Sequence, residues 1–263
     1  MVGSRKVRDY KSYEVYSELR LPPGVPLFVR CDGRNFRRLS EELNLEKPYD
    51  EEFAKSMVRA ARAIYEGDFN PALVYVFSDE VNVLLLKSVP FEARLEKLIS
   101  IIPSLISSAL ARELLEKWEY RGTLSFDARA VLLPGEEILG YLIWRQSEAW
   151  RNCVNSYAFH ALVSKGLSAR RAAEVLEGMK YGERHELVYR ELGVNLNEVP
   201  TWQRRGVLLY REEYEKRAVD RATGREARVK RRRVVEEWDL PLFSTEEGAR
   251  LIARILEYER GGV

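Results

Sequence analysis

The chain has 263 residues, of which 46% are hydrophobic and 32% are charged, and its formal net charge is +2. This composition is typical of a globular protein and excludes a disordered chain, a collagen or a small disulfide scaffold. The chain holds 2 cysteines and 2 histidines, which leaves no basis for a disulfide framework or a zinc site. The small net charge conceals an asymmetry, because residues 201–233 carry 12 Lys and Arg against 5 Asp and Glu.

Neither a secretory signal nor a membrane-spanning segment is expected. The N-terminal residues Met1–Tyr10 are polar, and the longest apolar-leaning run, Leu98–Leu110, contains Pro103 and several serines. That run is shorter than the roughly 20 residues that a transmembrane helix needs. We therefore expect a cytoplasmic protein without a membrane partner.

The first half of the chain alternates short apolar runs with helical patterns. In chain order the patterns predict a strand at Val25–Cys31, helices at Arg34–Leu43 and Glu51–Tyr65, strands at Leu73–Phe77 and Val81–Leu86, a long helix at Phe91–Trp118, and a strand at Leu124–Leu133. Asp50 is expected to cap the second helix. This order is that of a ferredoxin-like antiparallel sheet with one extra helix.

Beyond Pro134 the sequence is mainly helical. Helices are predicted at Glu136–Ser164, Ser168–Glu177, Glu183–Glu191 and Ser244–Glu259, the last with a capping box formed by Ser244 and Glu247. The basic segment Arg204–Val235 predicts a long β-hairpin around Thr223-Gly224. We expect an α+β fold with a sheet domain in residues 1–134 and a helical region with a basic hairpin in residues 135–263.

Acidic side chains lie at the predicted end of the first strand and in the turn of the next hairpin. Asp32 follows one strand, and Asp79 and Glu80 lie between two others. Since these strands are neighbours in a ferredoxin-like sheet, the acids are expected to meet at one edge. Two carboxylates with a backbone carbonyl suit Mg²⁺. The alternative is that Asp32-Gly33 and the hairpin acids are ordinary solvated turns.

Basic residues surround Asp32. Guanidinium groups match phosphate geometry, and the backbone amides that open a helix favour anions. The residues concerned are Arg30, Arg34, Arg37, Arg38 and Lys47, with Asn35 and Phe36 at the helix opening. The alternative is a charged helix face without a ligand.

A long predicted helix in the second half carries Trp144 and Arg145. Tryptophan inside a helix is most often a core residue, so Trp144 is expected in the core, whereas Arg145 is a candidate for phosphate contact.

The sequence resembles the tRNA(His) guanylyltransferases and their relatives that extend RNA in the 3′-to-5′ direction. The resemblance covers most of the chain, in order, to about Tyr210. The segments that carry it are VRCDGRNF (29–36), EKPYD (46–50), SDE (78–80), FDARAVLLP (126–134) and YLIWRQSEAWRN (141–152).

The resemblance implies a catalytic domain like a polymerase palm and a defined reaction. ATP would first adenylylate the 5′-monophosphate of a tRNA, and the 3′-hydroxyl of GTP would then attack the activated end. Asp32, the carbonyl of Gly33 and Asp79 would hold two Mg²⁺ ions, with Glu80 as an adjoining catalytic acid. The resemblance also implies a homo-oligomer, either a dimer or a tetramer.

The resemblance further implies sites for both nucleotides. The incoming nucleotide would be bound by Asp32, Gly33, Arg34, Asn35, Phe36, Arg37, Ser78 and Asp79. The activation step and its triphosphate would be served by Arg30, Lys47, Arg94 and Lys97.

The helical region and the basic hairpin are expected to bind tRNA. A solvated hairpin face is the alternative for such a charge run, but a tRNA substrate favours phosphate contacts. The residues expected to contact tRNA are Arg145, Asn152, Arg228, Lys230, Arg231, Arg232 and Arg233. Eukaryotic members carry His-Ile-Asn-Asn where this chain has Trp150-Arg151-Asn152-Cys153, so it resembles archaeal and bacterial members that also repair truncated tRNA 5′ ends.

The sequence also allows two other functions. A nucleotide cyclase-like enzyme would use a similar sheet with paired acids and would form a cyclic product without RNA. A tRNA-binding protein without catalysis would have no physical reason to keep three clustered acids.

Overall fold

The computed structural model describes residues 9–67, 69–87, 89–219 and 226–261. Its strands are β1 (Leu27–Gly33), β2 (Leu73–Phe77), β3 (Glu80–Leu85), β4 (Phe126–Leu132), β5 (Val207–Val219) and β6 (Glu226–Glu237). Its helices are α1 (Phe36–Glu42), α2 (Glu51–Arg62), α3 (Leu95–Trp118), α4 (Ile138–Ser164), α5 (Ala169–Glu177), α6 (Tyr181–Leu192), α7 (Thr201–Arg205) and α8 (Glu246–Gly261).

The strands form one six-stranded antiparallel sheet in the order β4-β1-β3-β2-β5-β6. The α+β fold expected from the sequence is confirmed. The β5–β6 hairpin belongs to this same sheet, because Val207 to Tyr210 of β5 pair with Val76 to Leu73 of β2. The sheet therefore joins the two predicted regions, and their division at residue 134 stays a prediction.

Both faces of the sheet are covered, because successive side chains of a strand point to opposite faces. On one face Val29 of β1 and Val83 of β3 pack with the α3 residues Leu98, Ile102 and Ile106. The other face is covered by α4 and α8, whose buried residues include Ile138, Leu142, Ile252 and Ile255. A third cluster, centred on Cys153 and Val188, holds α4, α5 and α6 together.

The helix starts follow local capping rules with one correction. The Asp50 side chain accepts a hydrogen bond from the Phe53 amide at 2.9 Å, which confirms it as the cap of α2. The prediction that Ser244 caps the last helix is wrong by one residue. There the Thr245 hydroxyl accepts from the Gly248 amide at 3.3 Å and α8 begins at Glu246. The hairpin turn expected at Thr223-Gly224 lies outside the described residues.

Helix α3 ends at Trp118 as predicted from the sequence and begins at Leu95, four residues after the predicted start. It has 24 residues with Pro103 inside it, and its most apolar window has a mean hydropathy of 1.5. By length and composition alone such a helix could cross a membrane. A helix buried in a protein core meets the same criterion, and α3 packs its Leu98, Ile102 and Ile106 side chains against the sheet.

Candidate active site

The acids predicted on β1 and in the β2–β3 turn meet at one edge of the sheet. Asp32 lies opposite Glu80 in the antiparallel register, and the Gly33 amide donates a hydrogen bond to the Asp79 carbonyl at 3.1 Å. Asp32, Gly33 and Asp79 are therefore brought together, as the sequence predicts.

Glycine is required at position 33 by this close approach. A Cβ placed there would lie 2.9 Å from the Cβ of Asp79 and 2.5 Å from the Phe36 ring. Any side chain would push the β2–β3 turn away from β1. The Asp-Gly pair therefore lets the two carboxylate-bearing segments approach each other.

The Asp79 carboxyl group lies in an electrostatically unfavourable place for a lone anion. Burial, and then the charge of Asp32, raise the pKa of Asp79 to about 6, while the Ser78 hydroxyl donates to Asp79 Oδ1 at 3.1 Å. A bound cation would relieve this repulsion, so the two carboxylates and the Gly33 carbonyl fit a divalent metal ion. Among the described residues no three His, Cys, Asp or Glu side chains form a metal-holding group, so substrate oxygens would have to complete the coordination.

Glu80 belongs to a buried polar network rather than to the open edge. Its carboxylate oxygens lie 2.9 Å from Arg145 Nε and 3.0 Å from Arg145 Nη2, and Asn82 donates to it at 2.8 Å. The Tyr141 hydroxyl donates to Asn82 at 2.7 Å. Burial raises the pKa of Glu80, whereas the Asn82 hydrogen bond and the Arg145 charge oppose that rise.

This network corrects the prediction for Arg145. The side chain is only 7% exposed and is bound to Glu80, so it does not present its guanidinium to a phosphate at the surface. Both Glu80 oxygens are engaged, which favours a positioning role beside Asp79. Its direct participation in catalysis stays a prediction.

A cavity of 860 Å³ opens beside Asp79, between the sheet domain and the helical region. Its size is within the range of small-molecule sites. On the sheet side it is lined by Phe36, Arg37, Lys47, Ser78 and Asp79, and on the helical side by Asn155, Phe159, His160, Arg184 and Trp202.

Two of the predicted phosphate-binding cations lie on the wall of this cavity. Lys47 donates to the Ser40 hydroxyl at 2.6 Å, and burial lowers the pKa of Lys47. The Arg37 guanidinium carbon lies 5.4 Å from the centre of the Phe159 ring, within cation–π range. Both side chains can therefore reach a ligand in the cavity.

The segment after Gly33 is less suited to anion binding than the sequence suggests. Asn35 has a left-handed backbone, its side chain does not cap α1, and α1 has only 7 residues. Arg34 is exposed, and Phe36 is a core residue whose ring packs against Phe53 and Phe126 at 6.1 and 5.1 Å.

In the part of the chain that the structure describes, Arg94 and Lys97 do not line the cavity. They lie at the start of α3, whose other end contacts α2 through Trp118 and Phe53, with ring centres 6.5 Å apart. A helix of this length separates the two ends by roughly 35 Å. Arg30 is also absent from the cavity lining and lies near Glu80 on the α4 side of the sheet.

The basic hairpin is partly neutralised by its own glutamates. Arg233 donates from Nε to the Glu212 carboxylate at 2.7 Å. Three further cations of β6 lie 3.5 to 3.8 Å from carboxylates of β5. The pairs are Arg228 with Glu215, Lys230 and Arg232 with Glu213, and Arg233 with Glu212. Arg231 makes no ion pair within the described part of the chain, and Asn152 is exposed on α4.

Sequence reasoning missed two residues near the site and misplaced a third. Asn82 and Tyr141 complete the Glu80 network, and the available signal was the alternation of Glu80 and Asn82 in an otherwise apolar strand. Trp144 is 47% exposed rather than buried in the core.

Comparison with known proteins assigns both halves of the chain to one family. The sequence model of tRNAHis guanylyltransferase matches residues 7–134, and that of the Thg1 C terminal domain matches residues 136–240.

Individual relatives agree with this assignment. The chain is 34% identical to "Probable tRNA(His) guanylyltransferase" of Drosophila melanogaster, covering 72% of this chain and 68% of that protein. It is 32% identical to tRNA(His) guanylyltransferase of Debaryomyces hansenii, covering 85% and 89%. A bacterial Thg1-like protein, solved in complex with ATP and with GTP, has the same fold, with TM-scores of 0.75 and 0.69 and 24% identity. The two structures cover 93% and 94% of this chain, and 96% of that protein in each case.

Proposed function

Because the chain belongs to the tRNA(His) guanylyltransferase family and is thereby a tRNA nucleotidyltransferase, we propose that it adds GMP to tRNA 5′ ends in a Mg²⁺-dependent, 3′-to-5′ reaction. The observation that carries this proposal is the meeting of Asp32, Gly33 and Asp79 at one edge of the sheet, beside the 860 Å³ cavity. Phosphoryl transfer depends mainly on positioning and on charge stabilisation, and this edge would supply both with Mg²⁺ ions bound to its carboxylates.

The proposed reaction has two transfers at the tRNA 5′ end. The 5′-monophosphate first attacks the α-phosphate of ATP and releases pyrophosphate. The 3′-hydroxyl of GTP then attacks the adenylylated 5′ phosphate and releases AMP, and the pyrophosphate of the added nucleotide is removed afterwards. Mg²⁺ ions held by Asp32, Gly33 and Asp79 would neutralise phosphate charge and acidify the attacking hydroxyl.

The protein side chains would bind and orient the nucleotide. Lys47 and Arg37 would contact its phosphates from the cavity wall, and Phe159 with Trp202 would pack against the base. The bacterial relative has been solved with ATP and with GTP, which supports both nucleotides as substrates of this chain.

The partners follow from the same proposal. Arg231, which makes no ion pair among the described residues, and the other basic residues of β5 and β6 would contact tRNA phosphates, and Asn152 of α4 would also contact the tRNA. We also propose a cytoplasmic homo-oligomer. A second copy would have to bring Arg94 and Lys97 to the activation step, because they lie at the far end of α3.

The proposal is tested with a 5′-monophosphorylated tRNA that lacks its first nucleotide. With ATP, GTP and Mg²⁺, the wild-type protein should lengthen the RNA by one nucleotide on a sequencing gel. Asp32→Asn and Asp79→Asn should lower the rate at least about 100-fold. Glu257→Gln, the corresponding change at an exposed carboxylate of α8, a helix whose described residues do not line the cavity, is the matched control. Lengthening by both active-site variants at the wild-type rate would refute the proposal.

Two narrower activities remain to be separated. We propose that the enzyme repairs truncated tRNA 5′ ends in addition to guanylylating tRNA(His), since Asn152 alone persists from the eukaryotic motif. Rates are compared on tRNA(His) and on truncated non-His tRNAs, and lengthening of tRNA(His) alone would refute the repair activity. Release of a cyclic nucleotide without RNA would instead support the cyclase-like alternative.

A further inference from the structure

Trp144 presents an aromatic surface at the catalytic edge. The residue is 47% exposed, although it lies on α4, a helix whose next residue is the buried Arg145. Isolated exposed aromatic residues are common and need no function. The surroundings of Trp144 distinguish it from such residues.

The indole is held rigidly by its neighbours. The Arg145 guanidinium carbon lies 4.3 Å from the centre of the indole, and the Tyr141 ring packs against it edge-on at 5.8 Å. Arg145 is itself fixed by its ion pair with Glu80, which follows Asp79 in the chain. A single guanidinium group therefore separates the exposed indole from the carboxylate beside the catalytic acid.

Cations lie on the neighbouring strands. Arg30 of β1 and Arg129 of β4 are direct cross-strand partners, and both act electrostatically on Tyr141, which packs against Trp144. Arg129 is half-exposed, and the buried Nε of Arg30 has no hydrogen-bond partner in the part of the chain that the structure describes. An aromatic surface next to phosphate-binding cations is the combination used to bind single nucleic acid strands.

Trp144 lies outside the cavity that suits the nucleotide. The cavity lining includes Ser78 and Asp79 but not Trp144, Arg30 or Arg129. The nucleotide cavity and the Trp144 surface are therefore separate, the first lined by Asp79 and the second joined to Glu80 through Arg145. A reaction that joins two substrates needs separate places for the nucleotide and for the RNA end, and these two surfaces supply them.

We propose that Trp144 stacks on the 5′-terminal base of the RNA strand that is extended, with Arg129 binding an adjacent phosphate. The proposal rests on the proposed function, and it identifies where the RNA end lies relative to the acids. Stacking on an indole is tolerant of base identity, which suits an enzyme acting on several tRNAs.

The test compares Trp144→Ala and Trp144→Phe with Tyr189→Ala, which removes a 67% exposed aromatic residue on α6. In the lengthening assay Trp144→Ala should raise the KM for tRNA at least about fivefold and leave the KM for GTP unchanged. Trp144→Phe should restore most of the affinity, and Tyr189→Ala should match the wild type.

A binding measurement separates this proposal from the proposed function. A tRNA with 2-aminopurine as its 5′-terminal base is titrated with protein in the absence of ATP and GTP. The wild type and Trp144→Phe should change its fluorescence, whereas Trp144→Ala should bind with little change. A fluorescence change with Trp144→Ala as large as that with the wild type, or a raised KM for GTP instead of tRNA, would overturn the stacking. If the wild type never lengthens RNA, the proposed function fails and the titration still decides the stacking.

Discussion

The side chains of Glu80 and Arg145 form an ion pair that is almost completely shielded from water. Their exposed fractions are 9% and 7%, and Asn82 satisfies a further carboxylate lone pair. Desolvating two charges is costly, so a pair of this kind is not by itself a gain in stability. Its consequence is positional, because it ties the start of β3, and with it Asp79, to α4.

Removing Arg145 should therefore be much more damaging than removing an exposed arginine. Arg145→Met leaves a buried carboxylate without its partner, and we expect the free energy of unfolding to fall by about 3–5 kcal/mol. Arg129→Met breaks a surface pair with Asp127 and should cost less than about 1 kcal/mol. Urea denaturation measures both, and equal losses would contradict the positioning role.

The acids of the site could be predicted from the sequence, whereas their environment could not. Asp32 and Asp79 follow apolar runs that read plainly as strands, so their meeting at a sheet edge depends only on strand order. The Glu80–Arg145 pair joins residues 65 positions apart and depends on how α4 lies across the sheet. Nothing local in the sequence encodes that placement.

The side chain of Asp50 caps helix α2 and thereby sets its first residue. The two oxygens of Asp50 accept hydrogen bonds from the amides of Phe53 at 2.9 Å and Glu46 at 3.0 Å. The second bond also fixes the segment that carries Lys47 into the cavity wall. The cap thus links helix start and site geometry.

Loss of this cap should be measurable. Asp50→Ala should lower the free energy of unfolding by about 1 kcal/mol, whereas Asp50→Asn keeps an acceptor and should lose only a fraction of that. Thermal or urea unfolding provides the measurement. Equal destabilisation by both variants would mean that charge rather than capping sets the helix start.

The basic residues of the β5–β6 hairpin differ in whether a neighbouring carboxylate neutralises them. Arg233 is paired with Glu212, whereas Arg231 makes no ion pair among the described residues. Arg231→Ala should weaken tRNA binding and reduce the slope of log affinity against log salt by about 1. Arg233→Ala should change the slope less, and fluorescence anisotropy across a salt series tests both. Identical slopes for the two variants would count against selective use of Arg231.

At the element scale, strand and helix positions could be predicted because apolar periodicity is local. The prediction that failed concerns how a side chain is surrounded in the folded protein. The sequence predicts Trp144 in the core, but its side chain is 47% exposed on α4. The neighbouring strands β1 and β4 carry Arg30 and Arg129 there instead of apolar residues.

The whole molecule is held together by a sheet that crosses the predicted boundary. Gly206 precedes β5 with a φ of 75°, and a Cβ there would lie 2.6 Å from the Val76 carbonyl oxygen of β2. Only glycine allows β5 to approach β2 in this way.

Gly206→Ala should therefore weaken the joint between the two halves. We expect a loss of about 1–3 kcal/mol from backbone strain alone, with the clash adding to it. Gly178→Ala, where φ is negative and the space around the Cβ is open, is the matched control and should be nearly neutral. Equal losses of unfolding free energy in the two variants would show that the close approach of β5 to β2 does not require glycine at position 206.

Charge is also organised at the scale of the whole molecule. Eight of the 12 basic residues in 201–233 lie on β5 and β6, at the far side of the sheet from β1, which carries Asp32. The sequence predicted this surplus but not its partial neutralisation by Glu212, Glu213 and Glu215, because that depends on the hairpin register.

The most direct test of the central claim follows the label of [α-³²P]GTP into tRNA. The wild type, with ATP and Mg²⁺, should place the label in the 5′-terminal phosphate of the nucleotide added to a truncated 5′-monophosphorylated tRNA, where a phosphatase removes it, because the new phosphodiester contains the unlabelled phosphorus of the tRNA. Asp32→Asn and Asp79→Asn should transfer little or none. Label found at the 3′ end, in a cyclic nucleotide, or equally with both variants would contradict the account.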